Sequence, residues 1–187
     1  QLGGDWGSVD DEASIRTLHH AFDRGVNLVD TAYIYGNGHS EEVIGRALLR
    51  WSGHKIHVAT KAQPVEWPGL DDVTPQKRGR YPARYLRKMV DHALRRLRVD
   101  RIDLFQLHSW MASAFYELDW LETLNALRVA GKIGQIGVSI RVCHPQDGVD
   151  LARLGLVASQ QVVVNEITVT TQSVDVADEP TQILPLR

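Results

Sequence analysis

Apolar runs of strand length alternate with amphipathic runs of helical length, and this alternation constrains the fold more than any other feature of the sequence. Strands that alternate with helices imply a parallel sheet made of right-handed crossovers. Near-continuous apolar strands further predict that both faces of the sheet are covered. The predicted strands are 27–31, 56–60, 102–107, 133–138 and 157–164. The predicted helices are 10–24, 82–98, 119–130 and 146–154, and a further helix is predicted to begin after an N-cap at Ser40.

Composition limits the kind of protein that carries this pattern. The chain has 187 residues, is 43% apolar and 24% charged, and has a net charge of -2. These values favour one soluble domain with a sizeable core over a disordered chain. No apolar run approaches the ~18–20 residues of a membrane span, and no secretory signal is visible, so no membrane partner is expected. The lone Cys143 cannot form an internal disulfide, which favours a reducing compartment, most simply the cytoplasm.

The segment 77–101 is strongly basic, with ten of the twenty-one Lys and Arg residues against two acids. A basic stripe is one way to bind nucleic acid or another polyanion. Against this, Leu86, Val90 and Leu97 recur among the charges at helical spacing. Aromatic residues also do not alternate with the arginines, as a surface that stacks single strands would require. The pattern therefore favours the solvated face of a helix, and no nucleic-acid partner is expected.

Polar and ionisable side chains stand at the ends of successive predicted strands. They are Asp30, Lys61, His108 and Ser139, with Tyr35 in the loop that follows Asp30. Taken singly, each of these residues is more typical of a structural role, in a turn, as a surface charge or at the rim of the core, than of a catalytic role. Because the carboxyl ends of parallel strands lie at one edge of the sheet, their recurrence at this point predicts a shared site.

Four of these residues together have the chemistry of a proton-transfer device. We expect a buried Asp30 to hold Lys61 in its charged form. The fixed positive charge would lower the pKa of the Tyr35 phenol from its usual value near 10 toward the working range. His108 would then orient a substrate oxygen beside the phenol. A tyrosine that acts as general acid toward a carbonyl oxygen is what hydride reduction requires.

The sequence around these positions resembles the aldo-keto reductase family over residues 4–165. Several motifs occur in the family's order with ordinary gaps, which makes the set highly specific although each motif alone is weak. The matching motifs are Gly25-x-Asn27-x-x-Asp30-Thr31-Ala32-x-x-Tyr35-Gly36, Gly38-x-Ser40-Glu41-x-x-Ile44-Gly45, Ala59-Thr60-Lys61, Leu94-x-x-Leu97-x-x-Asp100-x-Ile102-Asp103-Leu104, Gln106-Leu107-His108, Gly131-Lys132-Ile133, Ile136-Gly137-Val138-Ser139 and Gln161-Val162-Val163.

This resemblance implies an α/β fold of the TIM (β/α)8 barrel type, with NADP(H) bound at the mouth. It also implies a catalytic tetrad and two residues that hold the carboxamide of the cofactor. The tetrad would be Asp30, Tyr35, Lys61 and His108, and the carboxamide ligands would be Ser139 and Gln161. The implied reaction passes a hydride to the carbonyl carbon of a small aldehyde or ketone while Tyr35 protonates the oxygen. Trp110 and the loop that contains Trp67 would shape an apolar substrate pocket.

The sequence departs from the family pattern in two places near the cofactor and in its length. Ile140 follows Ser139 where many members have asparagine, and Val164 replaces a common aromatic residue. A complete barrel takes about 250 residues, so residues 1–187 are interpreted as a single, partial barrel domain with an atypical tail at 166–187. The opening strand, the last two strands and the element that binds the 2′-phosphate are not found.

Three explanations of this partial barrel are open. The chain is part of a longer molecule, it is a truncated product, or its tail supplies replacement strands across a homo-oligomer. Two functions are therefore considered. The first is an NADPH-dependent carbonyl reductase, and the alternative is a truncated or non-catalytic binding or regulatory protein on the same scaffold. No metal site is predicted, since His54 and His57 flank a strand start without a third ligand.

Overall fold

Five strands and five helices alternate in the residues that the computed structural model describes, which are 10–66, 80–110, 114–115, 119–140 and 146–162. The predicted alternation of strands and helices is therefore confirmed in these ranges. The predictions for Trp67, Val164 and the tail at 166–187 lie outside them. The elements are α1 (Asp11–Asp23), β1 (Leu28–Asp30), α2 (His39–Leu49), β2 (His57–Ala62), α3 (Ala83–Leu97), β3 (Ile102–Trp110), α4 (Asp119–Val129), β4 (Ile133–Ile140), α5 (Asp147–Leu154) and β5 (Ser159–Gln161).

The strands form one parallel sheet in the order β1-β2-β3-β4-β5. Each described strand therefore pairs with the next one along the chain, and each of the helices α2 to α5 connects two neighbouring strands, whereas α1 precedes β1. In the register, Lys61 of β2 lies beside Gln106 of β3, and Ser139 of β4 lies beside Gln161 of β5. This is the parallel sheet predicted from the sequence, and it brings the strand ends to one edge.

The sheet is strongly curved. In a flat sheet the edge strands β1 and β5 would be about 19 Å apart, at about 4.8 Å per strand spacing. Instead, Gln161 Nε2 at the end of β5 donates a hydrogen bond of 3.3 Å to Asp30 Oδ2 at the end of β1. The two edges therefore approach each other at the carboxyl end. The result is a partial (β/α) barrel, as the fold prediction expected.

The hydrophobic core lies between the convex face of the sheet and the helices. Its largest fully buried side chains come from both layers: Phe22, Leu86, Leu97, Ile102, Phe105, Leu107, Trp110, Trp120, Leu124 and Ile133. Burial of a side chain of this size contributes about 1.5–3 kcal/mol. In the part of the chain that is described, no helix has the length and apolar character to cross a bilayer. No group of three His, Cys, Asp or Glu residues in these ranges could hold a metal ion.

The strands differ from the predicted strands at their ends. β3 continues to Trp110, three residues beyond the predicted end at 107, and β5 begins at Ser159, two residues after the predicted start at 157, while positions 163–164 of that prediction lie outside the described residues. Leu28 in β1 is 51% exposed, so the expectation that both faces are covered is wrong there. The physical reason is that β1 is an edge strand in the described sheet, and only its neighbour β2 pairs with it.

The helix α2 begins two residues earlier than predicted, and Ser40 is not its N-cap. The N-cap is Gly38, which has a left-handed φ of 96° and offers no side-chain cap. Ser40 lies in the first turn, is buried, and its Oγ is 2.9 Å from Thr31 Oγ1. The serine therefore connects the start of α2 to the end of β1 instead of capping the helix.

Candidate active site

An ion pair between the ends of β1 and β2 is the centre of the candidate site. Lys61 Nζ donates to Asp30 Oδ2 at 2.6 Å and to the backbone oxygen of Thr31 at 3.0 Å. Lys61 is buried, whereas the Asp30 side chain is 37% exposed, so the expectation of a buried aspartate is wrong. Asp30 is exposed because β1 is an edge strand. The pair therefore joins a buried cation to a carboxylate that is accessible from the mouth.

Tyr35 lies beside this pair, in the loop between β1 and α2. Its ring centroid is 5.7 Å from Lys61 Nζ and 6.2 Å from the ring centroid of His108. The planes of the tyrosine and histidine rings are nearly perpendicular, at 86°. The structure therefore brings together all four residues that the sequence placed in one catalytic site.

The pKa of the Tyr35 phenol is raised above its usual value near 10, although the sequence predicted a lowered pKa. The main cause is burial of the phenol, and the nearby Asp30 carboxylate adds to it. Lys61 does not reverse this shift because its charge is compensated by Asp30 at 2.6 Å. The phenol therefore keeps its proton at neutral pH.

His108 occupies a distorted part of β3. The register between β3 and β4 shifts between Leu107 and Trp110, and Ser109 within this stretch has a left-handed φ of 55°. Bulges of this kind redirect a side chain and are common beside active sites. The backbone oxygen of His108 accepts a hydrogen bond of 2.7 Å from the hydroxyl of Tyr81. The bulge and this hydrogen bond fix the backbone that carries the imidazole.

The imidazole of His108 is neutral at physiological pH. Its pKa is lowered to about 4, mainly by burial and in addition by the positive charge of Lys61, while the Asp30 carboxylate partly opposes these effects. A neutral imidazole has one nitrogen that donates and one that accepts a hydrogen bond. It can therefore donate to a carbonyl oxygen without adding a second positive charge beside Lys61.

Ser139 and Gln161 lie side by side on the ends of β4 and β5. Gln161 is exposed, and its amide nitrogen reaches Asp30 across the mouth at 3.3 Å. Trp110 at the end of β3 is fully buried and packs edge-on against Phe115 at 5.0 Å between ring centroids. Its role in a substrate pocket stays a prediction.

Gln106 is a polar residue of the site that the sequence analysis did not select. It is buried, it lies between Lys61 and Gly137 in the register, and its Oε1 has no hydrogen-bond partner among the described residues. A Cβ at Gly137 would lie only 3.0 Å from Gln106 Cγ, so the glycine makes room for the glutamine. The available signal was its position two residues before His108, on the same face of the strand.

A curved parallel sheet with ionisable residues at its strand ends defines the class of (β/α)-barrel proteins, whose active sites form at that edge. Within this class, the chain belongs to the aldo/keto reductase family, whose family description matches residues 1–164. The prediction of the family from the sequence motifs is thereby confirmed.

Individual relatives agree with this assignment. The chain is 36% identical over 140 residues to the aldo-keto reductase YhdN of Bacillus subtilis, a match that covers 74% of this chain and 40% of that protein. It is 34% identical over 148 residues to an aryl-alcohol dehydrogenase [NADP(+)] of Phanerodontia chrysosporium, over 74% of this chain and 38% of that protein. The chain thus spans about two fifths of the length of these curated relatives.

Solved structures show the same fold. The structure of a glycerol dehydrogenase from Gluconobacter oxydans matches with a TM-score of 0.66 and 38% identity, over 88% of this chain and 49% of that chain. A structure of an aldo-keto reductase from Pseudomonas aeruginosa matches with a TM-score of 0.68 and 29% identity, over 88% of this chain and 60% of that chain. The described strands and helices therefore correspond to about half of a family barrel.

Proposed function

We propose that the protein reduces an aldehyde or ketone to an alcohol by hydride transfer from NADPH, with Tyr35 as the proton donor. The observation that carries this proposal is the Lys61–Asp30 pair beside a protonated phenol and a neutral imidazole. A carbonyl oxygen that gains negative charge needs a proton donor and a hydrogen-bond donor within reach. Tyr35 and His108 offer these two groups at one end of the barrel.

The residues at the ends of β4 and β5 suit the carboxamide of a nicotinamide. A carboxamide offers one oxygen that accepts hydrogen bonds and one NH2 group that donates them. The Ser139 hydroxyl and the Gln161 amide can each donate and accept, and the register places them side by side. We propose Ser139 and Gln161 as the residues that hold this group. NADPH supplies the hydride, while the protein supplies position and polarisation.

The proton follows a short path in the proposed reaction. With a hydride supplied to the carbonyl carbon by bound NADPH, the Tyr35 hydroxyl would give its proton to the carbonyl oxygen, so that the product would be an alcohol. A raised pKa keeps the phenol protonated until charge develops on the substrate oxygen. Asp30 holds the Lys61 side chain in place beside the Tyr35 ring. His108 holds the substrate oxygen near the phenol.

Substitution of the proposed proton donor tests this function. We expect Tyr35→Phe to lower kcat for carbonyl reduction by about 10²–10⁴-fold, the usual contribution of general acid catalysis. The measurement is NADPH absorbance across a panel of aldehydes and ketones. Tyr85→Phe is the matched control, because its hydroxyl donates to the Gln63 backbone oxygen at 2.9 Å, outside the candidate site. This control is expected to keep the wild-type rate.

The same experiment separates the reductase from a non-catalytic protein on this scaffold. Titration with NADPH, followed by fluorescence, reports binding independently of turnover. Saturable binding with turnover that depends on Tyr35 supports the reductase. The absence of both saturable NADPH binding and turnover would favour the non-catalytic alternative. Saturable binding without any turnover across the panel would also overturn the proposed reductase function for this chain.

A further inference from the structure

A second ion pair, between α3 and α2, lies on the helix side of β2, behind the candidate site. Arg96 Nε of α3 donates to Glu41 Oε2 of α2 at 2.6 Å. The other carboxylate oxygen of Glu41 accepts a hydrogen bond of 2.6 Å from Thr60 Oγ1 of β2. Glu41 and Thr60 are fully buried. One carboxylate therefore connects two helices and a strand.

This pair is connected to the candidate site through adjacent residues of β2. Thr60 directly precedes Lys61, and successive side chains of a strand point to opposite faces. Accordingly, Thr60 contacts Glu41 on the helix side while Lys61 contacts Asp30 on the mouth side. A shift of β2 that disturbs one contact would disturb the other.

Arg96 also packs directly against the loop that carries Tyr35. A Cβ at Gly38 would lie 2.6 Å from Arg96 Nε, so the guanidinium occupies the space that a side chain would need. On the other side of Tyr35, the Tyr33 ring lies under the guanidinium, with 5.0 Å between Arg96 Cζ and the ring centroid. The arginine therefore contacts the loop on both sides of the proposed proton donor.

The loop needs such support because its own backbone is in an uncommon conformation. Gly36, Asn37 and Gly38 all have positive φ, at 65°, 53° and 96°. An asparagine in the left-handed region is tolerated better than most residues but is still less favourable than in ordinary conformations. The Tyr35 N–H donates a hydrogen bond of 3.1 Å to the Ala32 oxygen within the same loop, and the Tyr33 N–H donates one of 3.3 Å to the Lys61 oxygen of β2. Contacts from outside the loop therefore contribute to its position.

Fold stability alone does not account for this ion pair. Replacement of a buried ion pair by apolar residues of similar volume is often neutral or stabilising. Arg96 Nη2 is in addition buried without a hydrogen-bond partner among the described residues, which is unfavourable. Beyond packing, the Arg96–Glu41 pair fixes the positions of α3, α2, β2 and the Tyr35 loop relative to one another.

We propose that Arg96 and Glu41 are positioning residues, which hold the Tyr35 loop in register with Lys61 across β2. The proposal rests on the proposed function, since it assigns these residues to the same proton transfer. They touch neither the substrate nor the cofactor and act through the loop and through Thr60. A small displacement of a proton donor is costly, because an error of 1 Å can lower a rate by about 10²-fold.

The test combines a signal from the Tyr35 ring with kinetics on Glu41→Gln and Arg96→Lys. The full chain is labelled with 3-fluorotyrosine at its five tyrosines, and the ¹⁹F resonance of Tyr35 is assigned with Tyr35→Phe. We expect both variants to shift or broaden this resonance. We also expect kcat to fall by about 10–100-fold, with NADPH affinity unchanged. Lys132→Gln is the matched control, because Lys132 Nζ lies 2.6 Å from Asp91 Oδ1 in a pair away from the mouth.

The outcomes distinguish this proposal from the proposed function. If wild type is inactive but the Tyr35 resonance responds to Glu41→Gln and not to Lys132→Gln, the positioning role stands while the reductase fails. An unchanged Tyr35 resonance together with unchanged kcat in both variants would overturn the positioning role. If Glu41→Gln does not fold, Thr60→Val takes its place, because it removes only the hydrogen bond between β2 and Glu41.

Discussion

The two ion pairs that lie on opposite faces of β2 have the same length but opposite exposure. Lys61 and Asp30 are 2.6 Å apart, with side chains that are 1% and 37% exposed. Arg96 and Glu41 are also 2.6 Å apart, with side chains that are 15% and 1% exposed. At the mouth the cation is buried and the acid is accessible, whereas behind the sheet the acid is buried. The distance alone therefore says little about what each pair does.

The difference in exposure separates a pair suited to chemistry from one suited to structure. A carboxylate that water reaches can lose its partner at little cost, and its charge can respond to a bound ligand. A carboxylate that water does not reach needs its protein partners to compensate its charge, because an unpaired buried charge is strongly unfavourable. Glu41 accepts from both Arg96 and Thr60, so both of its oxygens are paired.

Removal of the cation from each pair gives the largest expected difference in stability. We expect Arg96→Met to lower the free energy of unfolding by about 3–5 kcal/mol, because it leaves Glu41 buried and unpaired. Lys61→Met should cost about 1 kcal/mol or less, since the accessible Asp30 carboxylate can be hydrated. Urea denaturation of the two variants and of wild type measures both values. Equal losses would contradict the explanation by exposure.

The sequence predicted the partners of the mouth pair but not the pair behind the sheet. Asp30, Lys61 and His108 were found because strand ends converge at one edge of a parallel sheet. Glu41 lies inside a helix, where an acid in the first turn is explained well enough by the helix dipole. Its contact with Arg96 depends on how α2 and α3 cross. A single sequence does not reveal that packing.

The errors near Tyr35 have a similar cause. Ser40 before two glutamates is a typical N-cap pattern, but three left-handed residues at 36–38 bring the chain into α2 earlier, and Ser40 turns toward Thr31. The pKa of Tyr35 was predicted in the wrong direction because the sequence does not show how far the phenol is buried. The types of the elements could thus be predicted, whereas solvation and loop geometry could not.

The next largest expected effect is a loss of stability at low pH, and it comes from His108 at the mouth. The pKa of His108 is lowered from 6.5 to about 4 in the folded state. As pH falls below 6.5, the unfolded chain binds a proton that the folded chain does not, so stability is lost until about pH 4. The loss is about 3 kcal/mol for a shift of this size.

The variant His108→Asn isolates this contribution. Protonation of carboxylates affects both proteins alike, so the difference between their stability curves belongs to the histidine. We expect wild type to lose about 3 kcal/mol more than His108→Asn between neutral pH and about pH 4. The measurement is chemical denaturation at a series of pH values. Parallel curves would show that the imidazole is not buried in its neutral form.

The smallest effect is expected for a third pair of equal length, which completes the comparison. Lys132 and Asp91 are 2.6 Å apart, but their side chains are 43% and 41% exposed. Because water reaches both partners, Lys132→Gln should lower the free energy of unfolding by less than about 1 kcal/mol. High salt should reduce even this difference, since exposed charges are screened. A loss as large as that of Arg96→Met would mean that distance, and not exposure of the remaining acid, decides the contribution of each pair.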